Sequence, residues 1–213
     1  MKKKELFDKV ISYFEKTMPI AESELIFQSP FQLLAAVILS AQCTDKRVNI
    51  VTKSLFEAFP TADAMSKASE EDILSYIKSV SYPNNKAKHL SGMSKMLVKE
   101  YGGEVPSDLN ELLRLPGVGR KTANVVQSVV WNKAAFAVDT YIFRVSHRLG
   151  LVNSKATTPY AVEKVLTVNF PNEVIPRAHH WLLLHGRYIC KARKPLCDKC
   201  GLSFICKYKK QIV

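Results

Sequence analysis

Apolar residues return every third or fourth position along nearly the whole chain, and this period constrains the fold more than any other feature. From Glu5 to Lys16, Leu6, Val10, Ile11 and Phe14 share one helix face. The same reading predicts helices over 30–40, 45–58, 70–79, 85–100, 107–114, 120–131, 140–149, 159–168 and 176–188. Breakers fall between them at Pro60, Pro83, Gly102-Gly103, Pro106, Pro116-Gly117, Gly150 and Pro171. The run "VVQSVVW" is compatible with a strand, but its neighbours and the lack of hairpin turns favour helix. No repeat, low-complexity tract or long linker interrupts the pattern. The expected fold class is all-α, and 213 residues suffice for one large domain or two small ones. The most apolar run, Phe31 to Ala41, is too short to span a bilayer and reads as a buried helix in spite of Gln32.

One of these helix starts breaks an electrostatic rule. The stretch "LPGVGRKTANVV" places Arg120 and Lys121 in a first turn, where the partial positive charge of the helix favours acids. Gly117 and Gly119 remove side chains and permit positive φ, so the turn and the unpaired N–H groups behind it can line an anion site. A tight turn without a ligand is the competing reading. A triphosphate-binding loop is excluded, because Arg114 and Arg120 do not fit G-x-x-x-x-G-K-[ST]. Two roles fit Lys121. It can hold a phosphate as a solvated cation, or it can act as an amine nucleophile, for which it must be uncharged. The helix start, Arg120 and desolvation all push toward the uncharged amine. Asp139, closing the apolar run "AAFAVD", is the candidate carboxylate partner and equally an N-cap of the next helix. An ionised Asp139 close to Lys121 would favour the ammonium. Its role would therefore be to accept the proton or to stabilise positive charge on a sugar.

The overall charge agrees with a polyanionic partner. Thirty-one Lys and Arg against nineteen Asp and Glu give +12, which points to nucleic acid first, anionic membrane second, and mere solubility as the plain alternative. The N-terminus has no apolar run of signal-peptide length, and Glu5 and Asp8 argue against a transit sequence, so a soluble intracellular protein is expected. Thiols stay reduced in that compartment. Cys190, Cys197, Cys200 and Cys206, with six, two and five residues between them, then read as a metal site. Structural zinc usually takes two Cys-x-x-Cys pairs across a longer loop, whereas this run has one pair. A cubane cluster, needing one thiolate at each corner, suits ligands spread round a loop better. Zinc and disulfides remain the alternatives. Arg187, Lys191, Arg193, Lys194 and Lys199 exceed what thiolates require and suggest a phosphate-facing edge. Cys43, far away in a helical context, reads as a packing residue.

Taken together, "LPGVGRKTANVV", "AVDTYIFRVSHRLG", "HHWLLLHGRYIC" and the C-x6-C-x2-C-x5-C spacing resemble the bacterial endonuclease III family of helix-hairpin-helix DNA glycosylases. The similarity runs from about residue 25 to the last cysteine and includes "LLAAVILSAQCTDKRVN". It implies two helical domains with a DNA-binding cleft between them. A six-helix barrel carrying the hairpin would cover about 23–133, and 1–22 with 134–213 would form a domain holding a [4Fe–4S] cluster on the four cysteines. It implies a base-excision enzyme that flips an oxidised pyrimidine out of duplex DNA. Lys121 would attack C1′, displace the base and leave an imine, and β-elimination would cut 3′ to the abasic site. Asp139 would aid deprotonation and stabilise the cationic sugar. Gln42 would fill the gap in the duplex, although without the resemblance it reads as a polar residue at a helix end. Gly117, Val118, Gly119 and Arg120 would bind the DNA backbone, and the cluster would shape the basic loop of Lys191 and Arg193 that tracks it.

The sequence departs from the family pattern in two places. "SVSYPNNKA" puts Tyr82 where the family carries a hydrophobic wedge, followed by Pro83, and Tyr141 replaces a histidine in "DTY". Both bear on lesion and opposite-base preference and leave the lysine chemistry intact. The expected partner is double-stranded DNA containing damaged pyrimidines or abasic sites, engaged by a monomer at the bacterial nucleoid in the cytoplasm, with no membrane. Two other readings compete: a monofunctional adenine-mismatch type of glycosylase, against which Lys121 argues, and a non-catalytic DNA-binding module with structural zinc.

Overall fold

A computed structural model describes residues 2–212. It is helical, and no strand occurs among the described residues. The helices are α1 (Lys3–Thr17), α2 (Pro30–Ser40), α3 (Asp45–Ala58), α4 (Ala62–Ser66), α5 (Glu70–Ile77), α6 (Pro83–Tyr101), α7 (Leu109–Arg114), α8 (Arg120–Trp131), α9 (Thr140–Leu149), α10 (Pro159–Asn169), α11 (Ile175–Tyr188) and α12 (Lys209–Ile212), with one 3-10 turn at Cys197–Lys199. The all-α expectation holds. The short α4 and α12 were not anticipated, being too brief to establish a period. The chain divides into two compact units, Ser23–Trp131 and Met1–Glu22 with Asn132–Val213.

The unit of Ser23–Trp131 is built round α2. Leu33, Leu34, Ala35, Ala36 and Leu39 are fully buried, so this helix is apolar on all sides because it has neighbours on all sides. Gln32 survives in that run because its Oε1 accepts from the Gln28 N–H at 2.9 Å and its Nε2 donates to the Pro60 carbonyl at 3.4 Å. Ser29 caps the helix by accepting from the Gln32 N–H, with Pro30 at the first position. Cys43 is half-buried against the same core, as a packing residue would be.

In the other unit the two ends of the chain share one core. Phe14 of α1 stacks on Trp181 of α11, ring centroids 5.7 Å apart, and Trp181 Nε1 donates to the Met18 carbonyl at 2.7 Å. Helices α9 and α11 approach closely at Gly186, where a Cβ would stand 2.8 Å from Tyr141 Cβ. Gly201, after the 3-10 turn, similarly leaves room for the Tyr13 ring, whose Cε2 would lie 2.3 Å from a Cβ there. The last of these contacts seats the cysteine loop against α1 of its own unit.

Candidate nucleic-acid interface and cysteine site

The hairpin turn is anchored from below and bare above. Leu112 of α7, Leu115 and Val118 are buried, and the Val118 N–H donates to the Leu115 carbonyl at 3.1 Å. Gly117 takes φ +79, and a Cβ on it would stand 2.8 Å from His89 Cβ on α6. Gly92 of α6 lets Pro116 approach, with 3.3 Å between its would-be Cβ and Pro116 Cγ. Gly119 has open space where its side chain would be, and its carbonyl accepts from the Ala123 N–H at 3.0 Å as the first bond of α8. Gly117, Gly119, Arg120 and Lys121 are all exposed. The Val118 side chain belongs to the core, so a ligand would meet this residue at its backbone. Lys121 corrects one expectation, because the desolvation that the sequence suggested is not supplied by its exposed position. A bound polyanion would have to supply it.

Asp139 is the N-cap of α9 and accepts from the Ile142 N–H at 2.8 Å. It is half-buried and lies in the unit formed by both chain ends, whereas Lys121 lies in the unit of Ser23–Trp131. Gln42 and Tyr82 are both exposed, and both adopt a left-handed backbone with φ +53. They are brought together by a network that sequence reasoning missed. Ser81 Oγ donates to the Gln42 carbonyl at 2.8 Å, and the buried Lys86 joins both turns to the end of α2. The acceptors lie some forty-five positions back in sequence, so no local pattern could reveal them.

The four C-terminal cysteines meet. Cys190, Cys197, Cys200 and Cys206 line one pocket together with Leu149, Ile189 and Leu196. All four are free thiols, which removes the disulfide alternative among the described residues. Burial pushes the Cys200 thiol up. The Leu202 N–H acts against this, and the neighbouring Cys206, Cys190 and Cys197 add to the rise. Such mutual repulsion is what a bound cation reverses. Two groups missed in the sequence support the loop. Arg148 donates to the Lys191 and Ala192 carbonyls at 2.7 and 3.0 Å, sits 3.5 Å from Cys190 Sγ, and stacks on Tyr208 with 4.3 Å to the ring centroid. Arg144 donates to the Cys190 and Gly186 carbonyls at 3.0 and 2.8 Å. Their i, i+4 spacing on α9 is the signal that could have found them. Among the described residues no three Cys, His, Asp or Glu side chains converge as ligands of one metal ion. A single zinc needs its sulfurs about 2.3 Å from one point, whereas a cubane accepts thiolates at separate corners. Lys191 and Arg193 are exposed on the loop, and the guanidinium groups of Arg144 and Arg187 both stand over the Tyr141 ring, 5.3 and 5.6 Å from its centroid. No helix among the described residues is long and apolar enough to cross a membrane.

Residues 35–172 match the model of the HhH-GPD superfamily of base excision DNA repair proteins. Endonuclease III of Rickettsia felis is 46% identical over 96% of this chain and 95% of its own length. The Bacillus subtilis endonuclease III is 48% identical over 89% and 86%. A solved structure of a trapped covalent endonuclease III–DNA intermediate superposes with a TM-score of 0.93 and 42% identity, covering 100% of this chain and 99% of that one.

Proposed function

This chain belongs to the endonuclease III family of HhH-GPD base excision DNA repair proteins, and from that premise we propose how its own residues remove a base and cut the strand. The chain is a DNA glycosylase and abasic-site lyase. Lys121 is the nucleophile of both steps, and the observation that carries this is its exposed place in the first turn of α8, directly behind the Gly117–Gly119 turn. A DNA phosphate bound by the backbone N–H groups of that turn brings the deoxyribose to Lys121 and covers the amine from water. The uncharged Nζ bonds to C1′, the C1′–N bond breaks, and the base leaves with that electron pair and takes a proton. The C1′ amine then expels O4′, which takes a proton as the sugar ring opens, and the resulting imine acidifies C2′. Loss of a C2′ proton breaks the C3′–O bond, and the strand is cut 3′ to the site.

Asp139 would stabilise the cation that develops at C1′ and accept the proton that Lys121 gives up, while its cap bond to the Ile142 N–H fixes its direction within α9. Arg120 contributes charge to the phosphate, and Lys191 and Arg193 extend the contact along the backbone. Gln42 and Tyr82 occupy the gap that the flipped nucleotide leaves. The preferred substrates are oxidised pyrimidines and abasic sites in duplex DNA, bound by a monomer at the nucleoid in the cytoplasm.

The four cysteines would hold a [4Fe–4S] cluster as thiolates, and the donor set fits that group: four reduced sulfurs in one pocket, with Arg148 beside them. When bound, the cluster ties the loop together and has no part in the chemistry at the sugar. The brown colour and iron content of purified protein separate it from colourless zinc.

Borohydride reduction with abasic duplex tests the lysine. Wild type, loaded with its cluster, is expected to give a covalent adduct whose mass maps to Lys121, and Lys121→Gln gives none. Strand cutting by a wild type that never yields the adduct would overturn the assignment.

A further inference from the structure

Lys86 occupies the first turn of α6, yet it is only 5% exposed. Its Nζ donates to the Leu39 carbonyl at 2.8 Å, the Ala41 carbonyl at 2.7 Å and Ser81 Oγ at 3.2 Å. An ammonium has three protons, so all three are used, and each acceptor is neutral. Burial pushes this amine below the ordinary lysine value, with Cys43 acting in the opposite sense. A charge kept in the interior against that cost needs a structural return.

The return lies in what the three bonds join. Leu39 and Ala41 stand at the end of α2, where helix carbonyls lack intrahelical partners and the dipole is negative. Ser81 is itself bonded to the Ala41 and Gln42 carbonyls, at 3.2 and 2.8 Å. On either side of this knot stand Gln42 and Tyr82, two of the four non-glycine residues with positive φ among the described residues. Strained backbone of this kind persists only where surrounding bonds over-determine it, and it gathers at working sites. Both side chains point to solvent, Tyr82 being 62% exposed.

We infer that Lys86 is a positioning residue: its buried ammonium locks the Gln42 turn and the Tyr82 turn to the end of α2, so that both side chains enter the base stack as one preset unit. This rests on the reading of Gln42 and Tyr82 as the residues that fill the duplex gap. Lys86 is buried, and its role in this reading is exercised through the two turns. Methionine at 86 would fill the same volume and supply no proton to any of the three acceptors.

The test is a mutant cycle on full-length, cluster-loaded protein, read as single-turnover excision of an oxidised pyrimidine from duplex DNA. Lys86→Met is expected to slow excision roughly 10-fold to 30-fold, and Gln42→Ala/Tyr82→Ala at least as much, while the triple variant is no slower than that double variant. A Lys86→Met penalty carried undiminished into the triple variant overturns the inference, because the lysine would then only support the fold. A wild-type rate for Lys86→Met overturns it as well. If Gln42→Ala/Tyr82→Ala excises like wild type, the gap-filling reading fails and this inference falls with it. Should Lys86→Met not fold, Ser81→Ala serves in its place: it removes the hydroxyl's bonds to Lys86, Ala41 and Gln42 and leaves the amine bonded to the end of α2. It is expected to slow excision roughly 3-fold to 5-fold in the wild-type background and not at all in the double variant. Equal slowing in both backgrounds overturns the inference.

Discussion

Helices α6 and α8 both open with a lysine where the helix dipole disfavours one, and the two lysines meet opposite fates. Lys86 is sunk into its unit, its three protons spent on carbonyls and a hydroxyl. Lys121, behind a glycine turn, is left exposed. The first turn of α6 thereby fixes its surroundings, while that of α8 keeps an amine available for chemistry. A cation at a helix start is therefore not one signal but two, and what separates them is whether a second helix end supplies negative carbonyls. At α6 the end of α2 does so; at α8 the counter-charge has to arrive with the ligand.

The comparison breaks most sharply at Lys121. Lys121→Gln is expected to lower strand cleavage at abasic duplex by roughly 10³-fold or more, the scale of losing a nucleophile. Its unfolding free energy should change by less than about 0.5 kcal/mol, since an exposed side chain is removed. Lys86→Ala reverses the pattern. It opens a cavity, takes the lysine donor from the Leu39 carbonyl and leaves the Ala41 carbonyl with Ser81 alone, for an expected cost of about 3 kcal/mol in urea unfolding. Were the two variants to destabilise the protein equally, the division between an anchoring and a reacting lysine would be lost.

The sequence made that division only half visible. Periodicity located the long helices, because most bury one face and end at a proline, glycine or cap, and α2, buried all round, stood out as an apolar run. The hairpin and the cysteine run were legible for a related reason: each is local, and its spacing is its geometry. Lys86 looked like one more charge in "NNKAKH", because the acceptors that bury it come from α2. Arg144 and Arg148 were likewise hidden, since their partners at Cys190, Lys191 and Ala192 lie some forty positions on. Val118 read as part of a DNA-facing turn because a turn sequence does not tell which residue points inward. Contacts between segments remote in sequence are what the pattern omits, and the burial of Lys86 depends on them.

A third helix start sharpens the contrast by obeying the rule. Asp139 caps α9 with an acid, bonded to the Ile142 N–H at 2.8 Å. Asparagine caps about as well as aspartate, so Asp139→Asn should leave stability within about 0.5 kcal/mol. It removes the charge, however, and excision is expected to slow roughly 10-fold to 100-fold if that charge stabilises the sugar cation. Equal rates for Asp139→Asn and wild type, measured under single turnover, would reduce Asp139 to its cap.

The smallest effect belongs to the glycine that precedes Lys121. Gln42 and Tyr82 carry side chains at positive φ because the Lys86 network holds their turns in place. Gly117 has no such margin. At φ +79 an added Cβ is strained, and it would meet His89 Cβ at 2.8 Å. Gly117→Ala should therefore cost about 1–2 kcal/mol in stability, from the left-handed backbone and the displaced ring together. It should also weaken binding to undamaged and damaged duplex alike, since backbone N–H groups grip phosphates without reading bases. Removing the neighbour's Cβ, in Gly117→Ala/His89→Gly measured against His89→Gly alone, relieves the collision and leaves the backbone strain, so about half of the stability loss should return. Complete recovery would mean that the turn tolerates a side chain as Gln42 and Tyr82 do, and that its glycine serves only to clear His89.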